Sequence, residues 1–395
     1  MDKNIYLDHN ATSYLLPEAQ TAMSDAAEKS LGNPSSPHWA GREAKILLEE
    51  ARESLAKSLG AEPREIVFTS GGSESNNAVL RQLSADSGKQ HLITSTIEHP
   101  SVLETCRILT KQPNIALTEL PVDSSGLIDP DSLKKCISSQ TSLISLMTAN
   151  NETGCLQPIE ELSQIAREHE IAFHTDLVQA SGKIKFDLNS SGIDFASVTS
   201  HKLGGPRGIG LLYARQGTAF ESLITGGKQE RVRRAGTENV TLAVGFAKAL
   251  EWYLENQDRL QKQYSNFRKI VIDRINTIDG FFLNTDLDHS LQHTFNFGFS
   301  GISAESLLIS LDLDGVAVST GSACSSGAME ASHVLLAMGR SRSEAKSSLR
   351  VSWGWSTTAD EIDYFLERLT HHIRRLHKIK PVSYTHLTLP TSDLV

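Results

Sequence analysis

The sequence has few cysteines and no apolar run long enough to cross a membrane. None of its apolar stretches approaches the roughly 20 residues that a transmembrane helix needs, and the first residues lack the apolar core of a signal peptide. The four cysteines form no C-x-x-C pair and no zinc-ligand spacing. These absences predict a cytoplasmic chain with free thiols, away from the membrane and without a bound metal.

Basic residues are also fewer than acidic ones. The chain has 38 Lys and Arg against 47 Asp and Glu, a net charge of −9, which argues against direct nucleic-acid binding. Hydrophobic residues make up 39% and charged residues 22% of the chain, as in globular proteins. The 395 residues are enough for one large or two ordinary domains.

Short apolar runs alternate with helical patterns between about residues 13 and 255. This alternation predicts a large α/β domain with a mostly parallel central sheet. The later patterns predict a smaller α+β domain, formed by residues 1–12 and 256–381. Residues 382–395 turn abruptly rich in Thr and Leu, and we expect an appended segment or a flexible terminus there. Predicted strands include 65–69, 91–95, 141–148, 171–175, 194–199 and 210–214; predicted helices include 42–59, 73–83, 159–169 and 241–255.

A lysine and an aspartate stand at the ends of two predicted strands. Lys202 follows the strand 194–199, and Asp176 follows the strand 171–175. Pyridoxal phosphate (PLP) chemistry needs such a pair: the amine attaches the cofactor covalently, and the carboxylate keeps the pyridine nitrogen protonated. Taken alone, Lys202 is better explained as a surface lysine, and Asp176 as the cap of the next helix.

A glycine pair ending at Gly72 joins a predicted strand to a predicted helix. Glycine lets the backbone approach a ligand closely, and the first N–H groups of a helix attract a phosphate. Ser73 adds a hydroxyl, while Thr199 and His201 add donors beside Lys202. Together these signals indicate one phosphate-bearing cofactor.

Short motifs over almost all of residues 4–380 resemble those of the class V aminotransferase-like PLP enzymes, and within them the cysteine desulfurases. Each motif is short, but their recurrence in the family's order is not expected by chance. The matching segments are 6–12 (YLDHNAT), 32–38 (GNPSSPH), 66–77 (IVFTSGGSESNN), 98–99 (EH), 150–154 (NNETG), 176–179 (DLVQ), 200–202 (SHK), 233–239 (RRAGTEN), 322–327 (SACSSG) and 349–352 (LRVS).

The resemblance implies a PLP-dependent transferase fold (aspartate aminotransferase-like, fold type I). It implies that Lys202 attaches PLP, that Asp176 pairs with the pyridine nitrogen, and that Gln179 bonds the ring hydroxyl. His99 is expected to stack on the ring, and Asn151 to lie near the ring hydroxyl and the substrate. A lone histidine before a proline is more often a capping residue; the family context favours the site.

The resemblance also implies how phosphate and substrate are bound. Thr237 is expected to reach the phosphate in a neighbouring subunit, which implies a homodimer with shared sites. Arg350 is expected to clamp the α-carboxylate of the substrate. The alternative is a surface ion pair, which contributes little. The remaining implied contacts are Gly72, Ser73, Thr199 and His201 at the phosphate, and Ala11 and Thr12 at the substrate.

Three positions depart from the family's usual pattern. Thr199 stands where serine is common, which keeps the hydroxyl. Lys228 and Val232 stand where glycine is frequent.

Cys324 decides which reaction the sequence predicts. It lies in a Gly- and Ser-rich segment, about 318–330, that we expect to form a mobile loop with an exposed, reactive thiol. A free cysteine is usually buried and inert, and Cys106, Cys136 and Cys155 fit that role better.

These features predict a cysteine desulfurase that converts L-cysteine to L-alanine and leaves a persulfide on Cys324. The family expectation for the sulfur acceptor is an iron–sulfur scaffold protein or a tRNA-thiolation enzyme. Two alternatives remain open at this stage: another PLP enzyme of the same fold, such as a selenocysteine lyase or an aminotransferase, and a non-catalytic sulfur-transfer interaction protein.

Overall fold

The computed structural model describes residues 4–83, 88–320 and 330–378. Within these ranges the strands are β1 (Ile5–Tyr6), β2 (Ile66–Thr69), β3 (Gln90–Ser95), β4 (Ile115–Leu120), β5 (Thr141–Ser145), β6 (Ala172–Asp176), β7 (Phe195–Thr199), β8 (Gly210–Ala214), β9 (Phe281–Leu283), β10 (Thr294–Phe299), β11 (Val316–Ala317) and β12 (Ser348–Ser352). The helices are α1 (Pro17–Lys29), α2 (Trp39–Leu59), α3 (Gly72–Leu80), α4 (Pro100–Leu109), α5 (Pro130–Cys136), α6 (Ile159–Glu168), α7 (Val240–Glu255), α8 (Gln257–Ile275), α9 (Ala304–Leu313), α10 (His333–Ala337), α11 (Arg342–Lys346) and α12 (Ala359–Lys378).

The central sheet has the strand order β2-β8-β7-β6-β5-β3-β4 in the described part of the chain. All pairings are parallel except those of β8, which runs antiparallel to β2 and to β7. This confirms the predicted α/β class with a mostly parallel sheet. Because β6 and β7 are parallel neighbours, with Asp176 opposite Ser197, their carboxyl ends lie side by side.

Both faces of the sheet are covered, so several of its strands are buried along their whole length. All residues of β2, β7 and β8 are buried. Alternate side chains of β2 enter different cores: Ile66 and Phe68 pack with residues of α2 and α7, whereas Val67 packs with residues of α3 and α4.

A second sheet, of order β12-β10-β9, is antiparallel and carries Arg350 opposite Asn296. β1 pairs in parallel with β11, which ties the N-terminal segment to this later part of the chain. The pairing is in keeping with the predicted domain bounds, which stay a prediction. Residues 321–329 of the predicted loop and the predicted tail 382–395 lie outside the described residues. Among the described helices, none has the length and apolar character needed to span a bilayer.

The loop before α7 contains Lys228 and Val232, two of the positions that depart from the family's usual pattern. Val232 adopts a left-handed backbone with φ 67°, a region that favours glycine, so the frequent glycine at this position has a conformational reason. Lys228 has an ordinary φ of −88° and needs no glycine. Arg52 holds this loop through a buried ion pair with Glu230, with an N–O distance of 2.7 Å.

Candidate active site

A cavity of about 770 Å³ lies at the carboxyl ends of β6 and β7, enclosed further by the N-terminal ends of α3 and α4 and by β12. Lys202 and Asp176 open onto this same cavity. It brings together most of the predicted site residues, namely Ala11, Gly72, Ser73, His99, Asn151, Asp176, Gln179, Thr199, His201, Lys202 and Arg350.

Lys202 lies in a short 3-10 turn, Ser200–Leu203, directly after β7. Its Nζ donates to the backbone oxygen of Ala11 at 2.7 Å and to that of Asn10. Burial lowers the pKa of Lys202 to about 8, the positive charge of Arg350 adds to the effect, and two nearby carboxylates oppose it. The lowered pKa favours the neutral amine, the form that attacks a carbonyl group or accepts a proton.

Asp176 is the last residue of β6 and is held by neutral donors. Its Oδ2 accepts a hydrogen bond from Nδ2 of Asn76 at 2.8 Å, and its Oδ1 accepts one from the backbone N–H of Val178 at 2.9 Å. The second bond closes a turn, and no helix lies between β6 and β7 in the described structure. The alternative of a helix cap is therefore wrong, and the carboxylate faces the cavity. Sequence reasoning assigned no role to Asn76, which lies one turn into α3.

His99 is both a capping residue and a cavity residue, the two roles considered from the sequence. It is the N-cap of α4, and its Nδ1 accepts from the backbone N–H of Ser101 at 3.1 Å. The neutral ring therefore carries its proton on Nε2. The pKa of His99 is lowered, mainly by burial and further by Lys202, while Asp176 opposes the shift. The Ser101 hydroxyl accepts from Asn76 at 2.9 Å, which links His99 to Asp176 through two side chains.

The N-terminus of α3 has the features of an anion site. The helix has no side-chain cap, and the first N–H groups of any helix have no partner within it. A Cβ at Gly72 would lie 2.7 Å from Cγ2 of Val178, so glycine is required where the backbone lines the cavity. Ser73, Thr199 and His201 surround this end. This donor set fits the phosphate of a cofactor.

Arg350 enters the cavity from β12 between the buried residues Leu349 and Val351. Its Nη2 donates to Oδ1 of Asp8 at 2.6 Å, and its Nη1 donates to the backbone oxygen of Asn151 at 3.1 Å. Nε of Arg350 is buried without a hydrogen-bond partner. Asp8 was part of a quoted motif, but nothing in the sequence connected it with Arg350.

Three predicted site residues are not among those lining the cavity. Thr12 lies just behind it, where its Oγ1 is 3.1 Å from Nδ1 of His201. Thr237 is exposed in the loop before α7. Cys324 lies outside the described residues. Of the other cysteines, Cys106 and Cys155 are buried, and burial raises the pKa of each thiol to about 12.

The cavity includes residues that sequence reasoning missed. His333, at the start of α10, is 3.0 Å from the backbone oxygen of Glu98 through its Nε2. Glu152 accepts a hydrogen bond of 2.5 Å from the Ser332 hydroxyl, and burial raises its pKa. Glu152 stood in the quoted segment 150–154, which was the available signal. No comparable signal marked His333.

A cavity with a half-buried lysine, an aspartate on the neighbouring strand and a helix N-terminus suited to an anion is typical of PLP-dependent enzymes. The chain belongs to the aminotransferase class-V family, whose model matches residues 5–365. It is 44% identical over 385 residues to the cysteine desulfurase IscS of Dictyoglomus turgidum, covering 96% of this chain and 97% of that protein. It is 40% identical over 387 residues to the cysteine desulfurase IscS of Clostridium botulinum, covering 97% of each.

Solved structures agree with this relationship. A NifS-like protein superposes with a TM-score of 0.89 at 36% identity, covering 94% of this chain and 100% of that one. SspA in complex with cysteine superposes with a TM-score of 0.77 at 35% identity, covering 88% and 98%. These comparisons confirm the resemblance and the fold class predicted from the sequence.

Proposed function

We propose that this protein is a PLP-dependent cysteine desulfurase, which converts L-cysteine to L-alanine and retains the sulfur as a persulfide on Cys324. The observation that carries the proposal is the shared cavity of Lys202, Asp176, His99 and Arg350. Relatives of 40–44% identity over nearly the whole chain are cysteine desulfurases, which supports this activity over others of the family.

The residues present fit PLP. The N-terminus of α3, with Ser73, Thr199 and His201, would hold the phosphate. Asp176 would hold the protonated pyridine nitrogen, and Lys202 would hold the aldehyde carbon. When bound, PLP withdraws electrons from the α-carbon of an attached amino acid.

The chain's own groups then handle the substrate and its protons. The Arg350 guanidinium binds the α-carboxylate in a two-pronged pair. Lys202, with its pKa near 8, accepts the α-proton at Nζ once the substrate amine has replaced it. His99 lines the cavity, and we propose that its Nε2–H donates a hydrogen bond to the sulfur of the bound substrate, which favours loss of the thiol proton.

Cys324 receives the sulfur. The C–S bond of L-cysteine breaks, and an S–S bond forms between its sulfur and that of Cys324. Of the two thiol hydrogens, one ends on the methyl carbon of alanine and the other stays on the persulfide. Atoms and electrons balance without an external oxidant. We propose an iron–sulfur scaffold protein or a tRNA-thiolation enzyme as the sulfur acceptor, and the cytoplasm as the location.

We also propose a homodimer, in which Thr237 reaches the partner's phosphate site. Thr237 is exposed and does not line the cavity of its own chain. Nearby in the sequence, Val232, Leu223 and Ile224 expose apolar side chains, in keeping with an interface. Sedimentation of the purified protein should give twice the chain mass.

The test incubates the PLP-loaded protein with L-cysteine and dithiothreitol and measures alanine and sulfide. Equal amounts of both are expected from the native protein. Cys324→Ser should abolish sulfide release, whereas the matched variant Cys136→Ser should retain it. Alanine and sulfide production that survives Cys324→Ser would refute the assigned sulfur carrier, and absence of both products from the native protein would refute the proposed function.

A further inference from the structure

A buried lysine, Lys183, lies behind the cavity. Lys183 is 5% exposed and is not among the cavity-lining residues. Its backbone is fixed on both sides: the N–H donates to the oxygen of Ala180 at 3.0 Å, and the carbonyl oxygen accepts from Nε2 of Gln261. The side chain lies in the protein interior, where a charged amine is costly unless it is hydrogen-bonded.

The partner of Lys183 is a cavity residue. Nζ of Lys183 donates to Oε1 of Gln179 at 3.4 Å. The other end of that amide, Nε2, donates to the backbone oxygen of Asn10 at 3.1 Å, an oxygen that also accepts from Lys202. An ammonium group has donors only, whereas an amide has a donor end and an acceptor end. Lys183 therefore selects the orientation in which Gln179 keeps its oxygen inward and its N–H₂ group toward Asn10 and the cavity.

We infer that Lys183 is a positioning residue that fixes the Gln179 amide with its donor end toward the cavity, so that it presents N–H to an anionic ring oxygen of the cofactor. The inference rests on the proposed function, because it needs PLP in the cavity. A donor aimed at that oxygen stabilises its deprotonated form and so lowers the pH at which the visible band of the bound cofactor changes.

Among the residues that the structure describes, no carboxylate contributes noticeably to the pKa of Lys183. The titratable groups that act on it or respond to it are Lys202, His9, His201 and His293. Burial lowers the pKa of each of the three histidines, which leaves them neutral near pH 7. Burial, with Lys202 adding to it, lowers the pKa of Lys183 to about 7.

The test is a spectroscopic pH titration of the PLP-loaded protein, which does not depend on turnover. Lys183→Met should raise the midpoint of the visible band by about one pH unit, the size expected for loss of one hydrogen bond to a charged group. Lys183→Arg, which keeps donors at this position, should stay close to the native midpoint. The matched control is Lys185→Met, since Lys185 is exposed and lies two residues away; it should leave the midpoint unchanged.

The Gln179→Ala background separates positioning from charge. If Lys183 acts through Gln179, Lys183→Met should add no shift to that of Gln179→Ala. A full additional shift would show a through-space charge effect and overturn the inference, as would an unchanged midpoint in folded Lys183→Met. Circular dichroism checks folding, and Lys183→Leu replaces the Met variant should that one fail to fold. If the native protein shows no visible band with PLP, the proposed function fails instead.

Discussion

The two walls of the cavity hold their charged groups in different ways. On the wall formed by the central sheet, Lys202 donates to backbone oxygens and Asp176 accepts from an amide and a backbone N–H. On the opposite wall, Arg350 already pairs with a carboxylate, that of Asp8 at 2.6 Å. A cofactor can therefore reach the sheet wall without breaking an ion pair, whereas a substrate carboxylate must compete with Asp8.

The largest effect is expected on the sheet wall. Lys202→Ala should remove the visible band of bound PLP and lower alanine production at least about a thousandfold, because both the covalent attachment and the proton acceptor are lost. Absorbance and product analysis check this. Lys185→Ala is the matched control, and a Lys202→Ala protein that keeps its band and its rate would remove the basis for treating this wall as the cofactor wall.

The second-largest effect is expected from Arg350, on the opposite wall. Arg350→Met should raise the KM for L-cysteine about a hundredfold, within the range expected when one partner of a charge pair is removed. The band of bound PLP should persist. Steady-state kinetics beside the exposed control Arg107→Met measure the difference. If KM stays native, the substrate carboxylate is held elsewhere.

Asp8→Asn tests the competition itself. Removal of the carboxylate leaves the Arg350 guanidinium without its ionic partner, so KM for L-cysteine should fall about two- to tenfold. A rise in KM would mean that Asp8 mainly orients Arg350 rather than competing with the substrate.

The smallest effect is expected on the stability of the protein and comes from Lys183, which lies behind the sheet wall. The folded-state pKa of Lys183, about 7, lies below its unfolded value of about 10.4. Between these two pH values the unfolded chain binds more protons, so Lys183 makes the native protein gain stability as pH rises through this window. Lys183→Met lacks this contribution. The Tm of the Lys183→Met apoprotein minus that of the native apoprotein should therefore be largest below pH 7 and about 2 °C smaller at pH 9.5. A Tm difference that grows with pH would contradict the assignment.

Much of the fold could be predicted because buried parallel strands and their covering helices leave clear apolar patterns. The strands predicted at 194–199 and 210–214 match β7 and β8 closely. The strand predicted over 141–148 ends at Ser145 in the structure; the apolar pattern continues because the residues beyond it are also buried. β4 was not predicted, since only the two end residues of this strand are buried and the rest leave a weak signal.

The site could be predicted where short motifs bring their own chemistry, as at Lys202 and Asp176. The contacts that complete it could not. Asn76 reaches Asp176 across 100 residues, and Arg350 reaches Asp8 across 342. Nothing local to these polar residues distinguishes them from surface residues. Their pairing is set by the packing of distant segments, α3 against β6 and the N-terminal segment beside β12.

The most direct test of the account asks which amine attaches the cofactor. Treating the PLP-loaded protein with sodium borohydride fixes the link, and mass spectrometry of its peptides locates the pyridoxyl group. We expect a single modified residue, Lys202. A pyridoxyl group on Lys183 or on a surface lysine, with Lys202 unmodified, would contradict it.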